Sequence, residues 1–477
     1  MDKKLIYDYI EERAAAFTDI SDRIWEFAEL SMEEIRSAAE YVDFLQREGF
    51  EVAEQVVGIP TAFTASYGTG KPMIGILAEY DALSSLSQKA GLAEKEAYEP
   101  GGNGHGCGHN LLGAGALAAA VAIKHMIEQG KLKGTVVLYG CPGEEGCAGK
   151  AFMARDGLFR DLDAALTWHP SDVNEVTTGS NAACLQIEYS FSGIAAHAAG
   201  CPDMGRSALD AAELMNVGVQ FLREHIKRTD SIHYSFLDTG GPSPNVVQPT
   251  ARVLYMVRSD CVSNAKKVLE RVNNIARGAA LMTDTTVQIR QIDGTSSTLS
   301  NEVLEKVLYD NFRAVPMPEY SEEDWILAQE MFETYEKPEL PGAAVKHSAK
   351  IRRFVQEQTS NGSRAINDFL IPYLHCDLME MGSTDVGDVS WLTPTAQIST
   401  ATWPSGAPGH SWQIVSVGKS GLAHKGMLLA AKVLAGAVAD LMTDPELLLQ
   451  ARLEFDVEAR QGYDCPLGPE VKPMPVV

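Results

Sequence analysis

The stretch GGNGHGCGHN, residues 101–110, carries His105, Cys107 and His109 among glycines. Glycines are favoured where the backbone must approach another group closely. A thiolate and two imidazoles in one loop suit a transition metal, although a glycine-rich turn that merely contains these residues is the ordinary alternative. The small and apolar run LLGAGALAAAVAIKHMI then predicts a helix over about residues 111–129. The stretch therefore predicts a metal-binding loop that leads into a helix.

Further candidate ligands follow apolar runs that predict strands. The run PMIGILAEYDAL ends in Glu79 and Asp81, GTVVLYGCPGEEG ends in Glu144 and Glu145, and LDAALTWHPSD places His169 at a strand end. A surface acid pair or a lone histidine is usually solvated and without function. Ligands of open α/β sheets, however, bind at the carboxyl ends of the strands, so we expect these side chains to converge.

Five residues emerge as candidate metal ligands: Cys107, His109, Glu145, His169 and His410, the last in the loop GAPGHSW. Imidazole, thiolate and carboxylate donors together suit Zn, Mn, Co or Ni. Five ligands exceed the need of one tetrahedral ion, so the set predicts two divalent ions, Mn or Zn, that share a bridging ligand. Such ions lower the pKa of a bound water, and a free neighbouring carboxylate then takes its proton.

Composition narrows the class of protein. The 477 residues predict two domains, and a net charge of −24 argues against nucleic acids and anionic membranes as partners. The eight cysteines are scattered, which favours free thiols over disulfides. The N-terminal sequence reads as an amphipathic helix without a signal-peptide core, and no transmembrane helix is indicated. We therefore expect a cytoplasmic protein.

The order of strands and helices predicts the fold class. Residues 1–180 and 296–477 alternate strands with helices, which predicts an α/β catalytic domain with a mostly parallel sheet. Residues 181–295 follow the order β-α-β-β-α-β, which predicts an inserted ferredoxin-like domain. The acidic and aromatic segment 315–375 reads as a further insertion whose role the sequence does not reveal.

The combined motifs resemble the M20 family of metallopeptidases and amidohydrolases, in its aminoacylase-like branch, over nearly the whole chain. The resemblance implies that Glu144 is the general base, that Glu145 and the other four candidates are metal ligands, and that Asp81 supports them from behind. The wider family has His-x-Asp, and this branch Asp-x-Asp, where this chain has Glu79-Tyr80-Asp81. Glu79 and His105 therefore have no assigned role.

The resemblance also assigns residues in the predicted inserted domain. His197, in SGIAAHA, would reach the active site of a partner subunit and contact the oxyanion. Asn245 and Arg258, in and near NVVQPTARVLYMVR, would bind a substrate carboxylate. The inserted domain is thereby implied to be a lid and a dimerisation domain, in a homodimer or in a heterodimer with a related subunit.

The expected activity is hydrolysis of the amide bond of an N-acyl amino acid, p-aminobenzoyl-glutamate or a related aryl-acyl or folate-breakdown amide. Two alternatives stay open, namely a dipeptidase of the same fold and a non-catalytic partner subunit of a heterodimeric hydrolase. The complete ligand set and Glu144 argue against the non-catalytic alternative. A cysteine hydrolase that uses Cys107 as nucleophile is disfavoured by the adjacent Cys-Gly-His pattern.

Overall fold

The computed structural model describes residues 2–336 and 339–475. All predicted site residues are among them, whereas residues 337 and 338 of the predicted insertion lie outside the described residues. In the described part the α-helices are α1 Lys4–Glu12, α2 Ala14–Phe27, α3 Ile35–Arg47, α4 His109–Glu128, α5 Gly149–Arg155, α6 Ala208–Arg223, α7 Val262–Met282, α8 Glu302–Ala314, α9 Glu322–Phe332, α10 Ala349–Gln358, α11 Val386–Ser390, α12 Trp412–Val417, α13 Gly421–Thr443 and α14 Pro445–Glu458. The strands are β1 Glu51–Glu54, β2 Phe63–Thr69, β3 Met73–Ala78, β4 Gly134–Gly140, β5 Ala164–Ser171, β6 Glu175–Val176, β7 Ser180–Asn181, β8 Ala183–Ser192, β9 Ser231–Asp238, β10 Thr250–Ser259, β11 Thr286–Thr295, β12 Met379–Glu380 and β13 Thr395–Ala401.

The larger sheet has seven strands in the order β1-β2-β4-β3-β5-β13-β6. Its four central strands β4, β3, β5 and β13 are parallel, whereas β1 and β2 at one edge and β6 at the other pair in antiparallel fashion. The prediction of a mostly parallel sheet is therefore too broad, because it holds only for the centre. The physical reason at one edge is the short connection of residues 55–62 between β1 and β2, since a parallel pair needs a longer crossover.

Helices α4 and α13 form the core that covers this sheet. Both are long and apolar enough to cross a membrane, but 89% and 83% of their apolar windows are buried inside the protein. Glycines allow α4 to lie close to the sheet: a Cβ atom at Gly115 would come within 2.8 Å of the Trp168 ring. Because α4 begins at His109, this close packing fixes the position of the predicted metal loop.

The second sheet has four antiparallel strands in the order β11-β8-β10-β9, and helices α6 and α7 pack against it. Its elements follow one another as β8-α6-β9-β10-α7-β11, which is the order that the sequence predicts. Strand β10 buries alternate residues such as Val253, Tyr255 and Val257, because helices cover one of its two faces.

The segment 315–375 packs against the region that follows β5. Val345, Ile351 and Val355 form a small apolar cluster with Val173 and Ile371. This contact places the insertion beside the carboxyl end of the central strands, where the predicted ligands lie.

Candidate metal centre

The structure brings the five predicted metal ligands together. Cys107 Sγ lies 3.5 Å from His169 Nε2, and His410 Nε2 lies 3.5 Å from Glu145 Oε2. His109 Nε2 is 4.0 Å from Glu145 Oε1. The ligand atoms of Cys107 and both His109 and His169 lie within 4.8 Å of one another, as do those of Cys107, Glu145 and His410. Cys107 is thus common to two groups of three, which is the arrangement that a bridging thiolate requires.

Buried atoms without hydrogen-bond partners test whether a metal fits here. Among the described residues, His109 Nε2, Glu145 Oε1 and Glu79 Oε2 are buried and accept or donate no hydrogen bond. Native proteins rarely leave such atoms unpaired, so a ligand is indicated. Zn–N bonds of about 2.0–2.1 Å and Zn–S bonds of about 2.3 Å place two ligands of a tetrahedral ion about 3.3–3.6 Å apart. The separations of 3.5 Å agree with this, so the residues fit divalent metal ions.

Asp81 holds two of the candidate ligands in place. Its Oδ1 accepts a hydrogen bond from His109 Nδ1 at 2.9 Å, and its Oδ2 accepts from the Glu145 backbone N–H at 2.9 Å and from Ser31 Oγ at 2.8 Å. Burial opposes ionisation of Asp81, but the hydrogen bond from His109 and its positive charge hold the pKa at about 2. With its Nδ1–H committed to Asp81, the imidazole of His109 presents the Nε2 lone pair to the centre.

The turn that carries Glu144 and Glu145 is fixed by a buried acid that the sequence analysis did not single out. Glu34 Oε1 accepts the backbone N–H of Gly143 at 2.8 Å, and its Oε2 accepts Thr61 Oγ1 at 2.9 Å. Burial, and then the charge of Asp81, raise the pKa of Glu34 to about 8. No sequence signal identifies this contact, because Glu34 lies 109 positions away in the chain.

Glu144 is placed where a general base is needed. It lines the cavity, and one of its carboxylate oxygens lies within 4.8 Å of ligand atoms of His109 and Glu79. Burial, and then the negative charges of Glu79, Asp385 and Glu145, raise the pKa of Glu144 well above its usual range. The same carboxylate that sits beside the candidate ligands is thus tuned to hold a proton.

A cavity of about 610 Å³ opens above the candidate ligands. Its far wall comes from the segment 315–375 and includes Leu340, Lys346 and Tyr373. This gives the insertion a place in the site that its sequence did not reveal. The cavity is large enough for a small organic molecule.

The three residues predicted in the inserted domain do not line this cavity among the described residues. His197 is exposed, and its Nδ1 accepts the backbone N–H groups of Ala199 and Gly200 at 3.2 and 3.1 Å. Asn245 is also exposed. Arg258 donates to the carbonyl oxygen of Met381 at 2.7 Å. A single chain in this conformation therefore keeps all three away from the candidate ligands.

His105 does not belong to the group of ligands. It is buried, and its Nε2 lies 3.0 Å from the carbonyl oxygen of Ile24. Burial, and then the charge of His109, lower its pKa to about 4. This neutral ring anchors the glycine-rich loop to α2.

With the site in view, the family can be stated. Residues 75–388 match the model of peptidase family M20/M25/M40, which is more than half of the chain. The chain belongs to this family, as the sequence motifs predicted.

Individual relatives agree with this assignment. The chain is 43% identical over 480 residues to one of the subunits of p-aminobenzoyl-glutamate hydrolase of Escherichia coli, covering 99% of both chains. It is 26% identical to the Xaa-Arg dipeptidase of Mus musculus, over 96% of this chain and 93% of the relative. A Bacillus subtilis structure described as a dinuclear metal binding peptidase from the M20 family matches with a TM-score of 0.53 at 16% identity, over 91% of this chain and 99% of that one. The last likeness shows that the fold is shared.

Proposed function

We propose that this chain is a metal-dependent amidohydrolase that cleaves the amide bond of an N-acyl amino acid, with p-aminobenzoyl-glutamate as the first candidate substrate. The observation that carries the proposal is the convergence of Cys107, His109, Glu145, His169 and His410 beside Glu144 at one end of the cavity. The similarity to a p-aminobenzoyl-glutamate hydrolase subunit over nearly the whole chain supports the substrate.

In the proposed mechanism two divalent ions, Mn or Zn, are held by the five ligands, and when bound they lower the pKa of a water and polarise the scissile carbonyl. Glu144 accepts the proton of the attacking water and later delivers it to the nitrogen of the leaving amine. The raised pKa of Glu144 suits both transfers, because a base that is too weak cannot take the proton and one that is too strong cannot release it. Asp81 keeps His109 and Glu145 oriented throughout.

We further propose that residues 181–295 act as a lid and dimerisation domain. Backbone N–H groups occupy Nδ1 of His197, so the neutral ring carries its proton on Nε2 and is ready to donate to an oxyanion. Asn245 and Arg258 would then bind the substrate carboxylate, for which the guanidinium fork is suited. Since none of the three lines the cavity of its own chain, the proposal needs either closure of the lid or a partner chain.

A dipeptidase of the same fold is the second candidate, and the similarity to the Xaa-Arg dipeptidase favours it. The cavity wall carries Asp172, Glu175, Glu339 and Glu380 against one lysine, Lys346, which suits a substrate with a cationic group better than a dianion. A non-catalytic partner subunit would have no need of Glu144 or of the complete ligand set.

Purified protein loaded with Mn or Zn should be assayed on p-aminobenzoyl-glutamate, other N-acyl amino acids, and dipeptides that end in glutamate or arginine. We expect hydrolysis of the acyl-glutamate and loss of activity after chelation. Preference for dipeptides with arginine would favour the dipeptidase instead. Inactivity on every substrate with two ions bound would favour the non-catalytic alternative. The eight free cysteines support a cytoplasmic location.

A further inference from the structure

A fully buried ion-pair cluster lies directly behind the candidate metal centre. Lys150 Nζ is 2.6 Å from Glu79 Oε1 and 2.5 Å from Asp385 Oδ1, and the three side chains are at most 3% exposed. The backbone N–H of Lys150 also donates to Asp385 Oδ2 at 2.8 Å. Both oxygens of Asp385 are thus engaged by the lysine, whereas only one oxygen of Glu79 is.

The second oxygen of Glu79 faces the candidate ligands. Glu79 Oε2 is buried without a hydrogen-bond partner and lies 3.3 Å from His109 Nε2, which is also unpaired. Since Asp81 takes the Nδ1 proton of His109, two lone pairs face each other at this distance in the neutral ring. Such a contact is repulsive unless a cation lies between the atoms. A separation of 3.3 Å is also the one expected for oxygen and nitrogen ligands of a single ion, about 3.3 Å.

Charge supports the same conclusion. Lys150 carries one positive charge, and Glu79 with Asp385 carries two negative charges, so the cluster presents a net negative charge toward His109. Burial of that excess charge is costly unless a cation compensates it. The alternative is a protonated His109 that serves as the counter-ion, in which case Glu79 has no part in binding metal.

We propose that Glu79 is a sixth protein ligand, which binds the ion that His109 binds, and that Lys150 and Asp385 are positioning residues that hold its carboxylate. This inference rests on the proposed dinuclear centre and deepens it. Lys150 fixes one oxygen of Glu79 and thereby leaves only the other free to bind. Ligands supported in this way by outer partners are better oriented, and loss of such a partner lowers metal affinity about 10–100-fold.

The test measures metal binding rather than activity. Metal-free wild-type and Glu79→Gln proteins are titrated with Mn²⁺ and Zn²⁺ by calorimetry, and the Co²⁺-loaded forms are compared by visible absorption. We expect two ions in the wild type. In Glu79→Gln we expect one ion to bind as before, the other to bind at least about tenfold more weakly, and the Co²⁺ bands to change. Glu380→Gln is the matched control, because Glu380 lines the same cavity outside the groups of ligands, and both affinities should stay unchanged.

The positioning role is tested separately with Asp385→Asn and Lys150→Arg. Each should weaken the same one of the two ions and leave the other unchanged, with near-ultraviolet circular dichroism as the check on folding. If the Lys150 variant does not fold, Asp385→Asn and Glu79→Gln still decide the matter. Two ions bound by Glu79→Gln with wild-type affinities and spectra would overturn this inference alone. A wild-type chain that binds no ion would overturn the proposed function as well.

Discussion

Glu144 and Glu145 are neighbours in the chain but have different surroundings. Glu145 has its backbone N–H fixed by Asp81 and one oxygen 3.5 Å from His410 Nε2, so it is directed toward the candidate metal ligands. Glu144 faces the cavity, and its buried setting among acids raises its pKa. A turn fixed at Gly143 by Glu34 holds both side chains, which explains how two adjacent acids can take different roles.

This difference predicts the result of replacing Glu144 with glutamine. Glu144→Gln should bind metal as the wild type does and lose activity by about 10²–10⁴-fold, because one group serves both proton transfers. Metal content and kcat are measured on the same preparation, with Glu145→Gln for comparison, which should lose metal too. Turnover near that of the wild type in Glu144→Gln would remove this residue from the mechanism.

At the level of elements, helix α4 depends on the absence of side chains where it meets strand β3. A Cβ atom at Gly113 would lie 2.7 Å from the backbone oxygen of Glu79 and 2.2 Å from the hydroxyl of Tyr41. Both distances are shorter than a real contact allows, so any side chain must push α4 away from β3. His109 lies at the start of α4, so the same displacement would reach the metal loop.

We therefore expect Gly113→Ala to destabilise the protein by about 1–3 kcal/mol through overpacking, and to weaken metal binding. Gly278→Ala, in helix α7, is the matched control because nothing lies within 4 Å of the added Cβ. There the substitution should stabilise the protein by about 0.5–1 kcal/mol, the usual gain from glycine to alanine in a helix. Urea unfolding of both variants measures the difference, and equal shifts in the two would contradict the packing argument.

A second element-level feature is the link between helix α8 and the loop after the insertion. His375 Nδ1 lies 2.9 Å from Glu305 Oε2, and its Nε2 lies 3.2 Å from Asp377 Oδ1. Burial works against the charged ring, but the hydrogen bond and charge of Glu305 outweigh it and raise the pKa of His375 above 6.5. The stabilising effect of this link is therefore fully present below pH 6.5 and is lost as the pH rises through the raised pKa.

It follows that His375→Gln should destabilise the protein more at about pH 5.5 than at about pH 9. The free energy of unfolding is measured for wild type and variant at several pH values, and the gap between them should narrow as the pH rises. His347→Gln replaces an exposed histidine of the neighbouring segment and should leave no such trend. A gap that is constant or widens with pH would show that the charged form of His375 does not stabilise the fold.

On the scale of the whole molecule, the proposed site is divided between two parts of the chain. The candidate metal ligands and Glu144 lie at the carboxyl ends of the central strands, whereas His197, Asn245 and Arg258 belong to the region of the four-stranded sheet. His197 is exposed and held by its own loop, so it is available to another chain. The Escherichia coli relative is named as one subunit of a hydrolase, which supports the proposal that a second chain takes part.

Mixing two inactive variants distinguishes action in trans from action in cis. His197→Ala and Glu144→Gln should each lose activity, by about 10²–10³-fold for a lost oxyanion donor. If His197 acts across a dimer, subunit exchange creates hybrids with one site in which both residues are intact, and activity returns. Exchange is confirmed independently by fluorescence transfer between labelled chains. A mixture that exchanges and stays inactive would leave His197 with a local role.

The sequence determined those parts of this protein that depend on neighbouring residues. The glycine-rich loop with Cys107 and His109, the paired acids and the histidine after β5 are local patterns, and strands that end in polar residues predict where such side chains meet. Hydrophobic periodicity likewise predicted the element order of the second sheet, because burial on one face imposes it on the sequence.

Tertiary structure alone decided what depends on contacts between distant positions. Lys150 and Asp385 are 235 positions apart, and no periodicity or spacing relates them to Glu79. The antiparallel edges of the larger sheet and the placement of the 315–375 segment over the cavity also follow from packing. The physical reason is that a buried charge takes its partner from whatever side chains the fold brings near it. That neighbourhood exists only once the strands and helices have assembled.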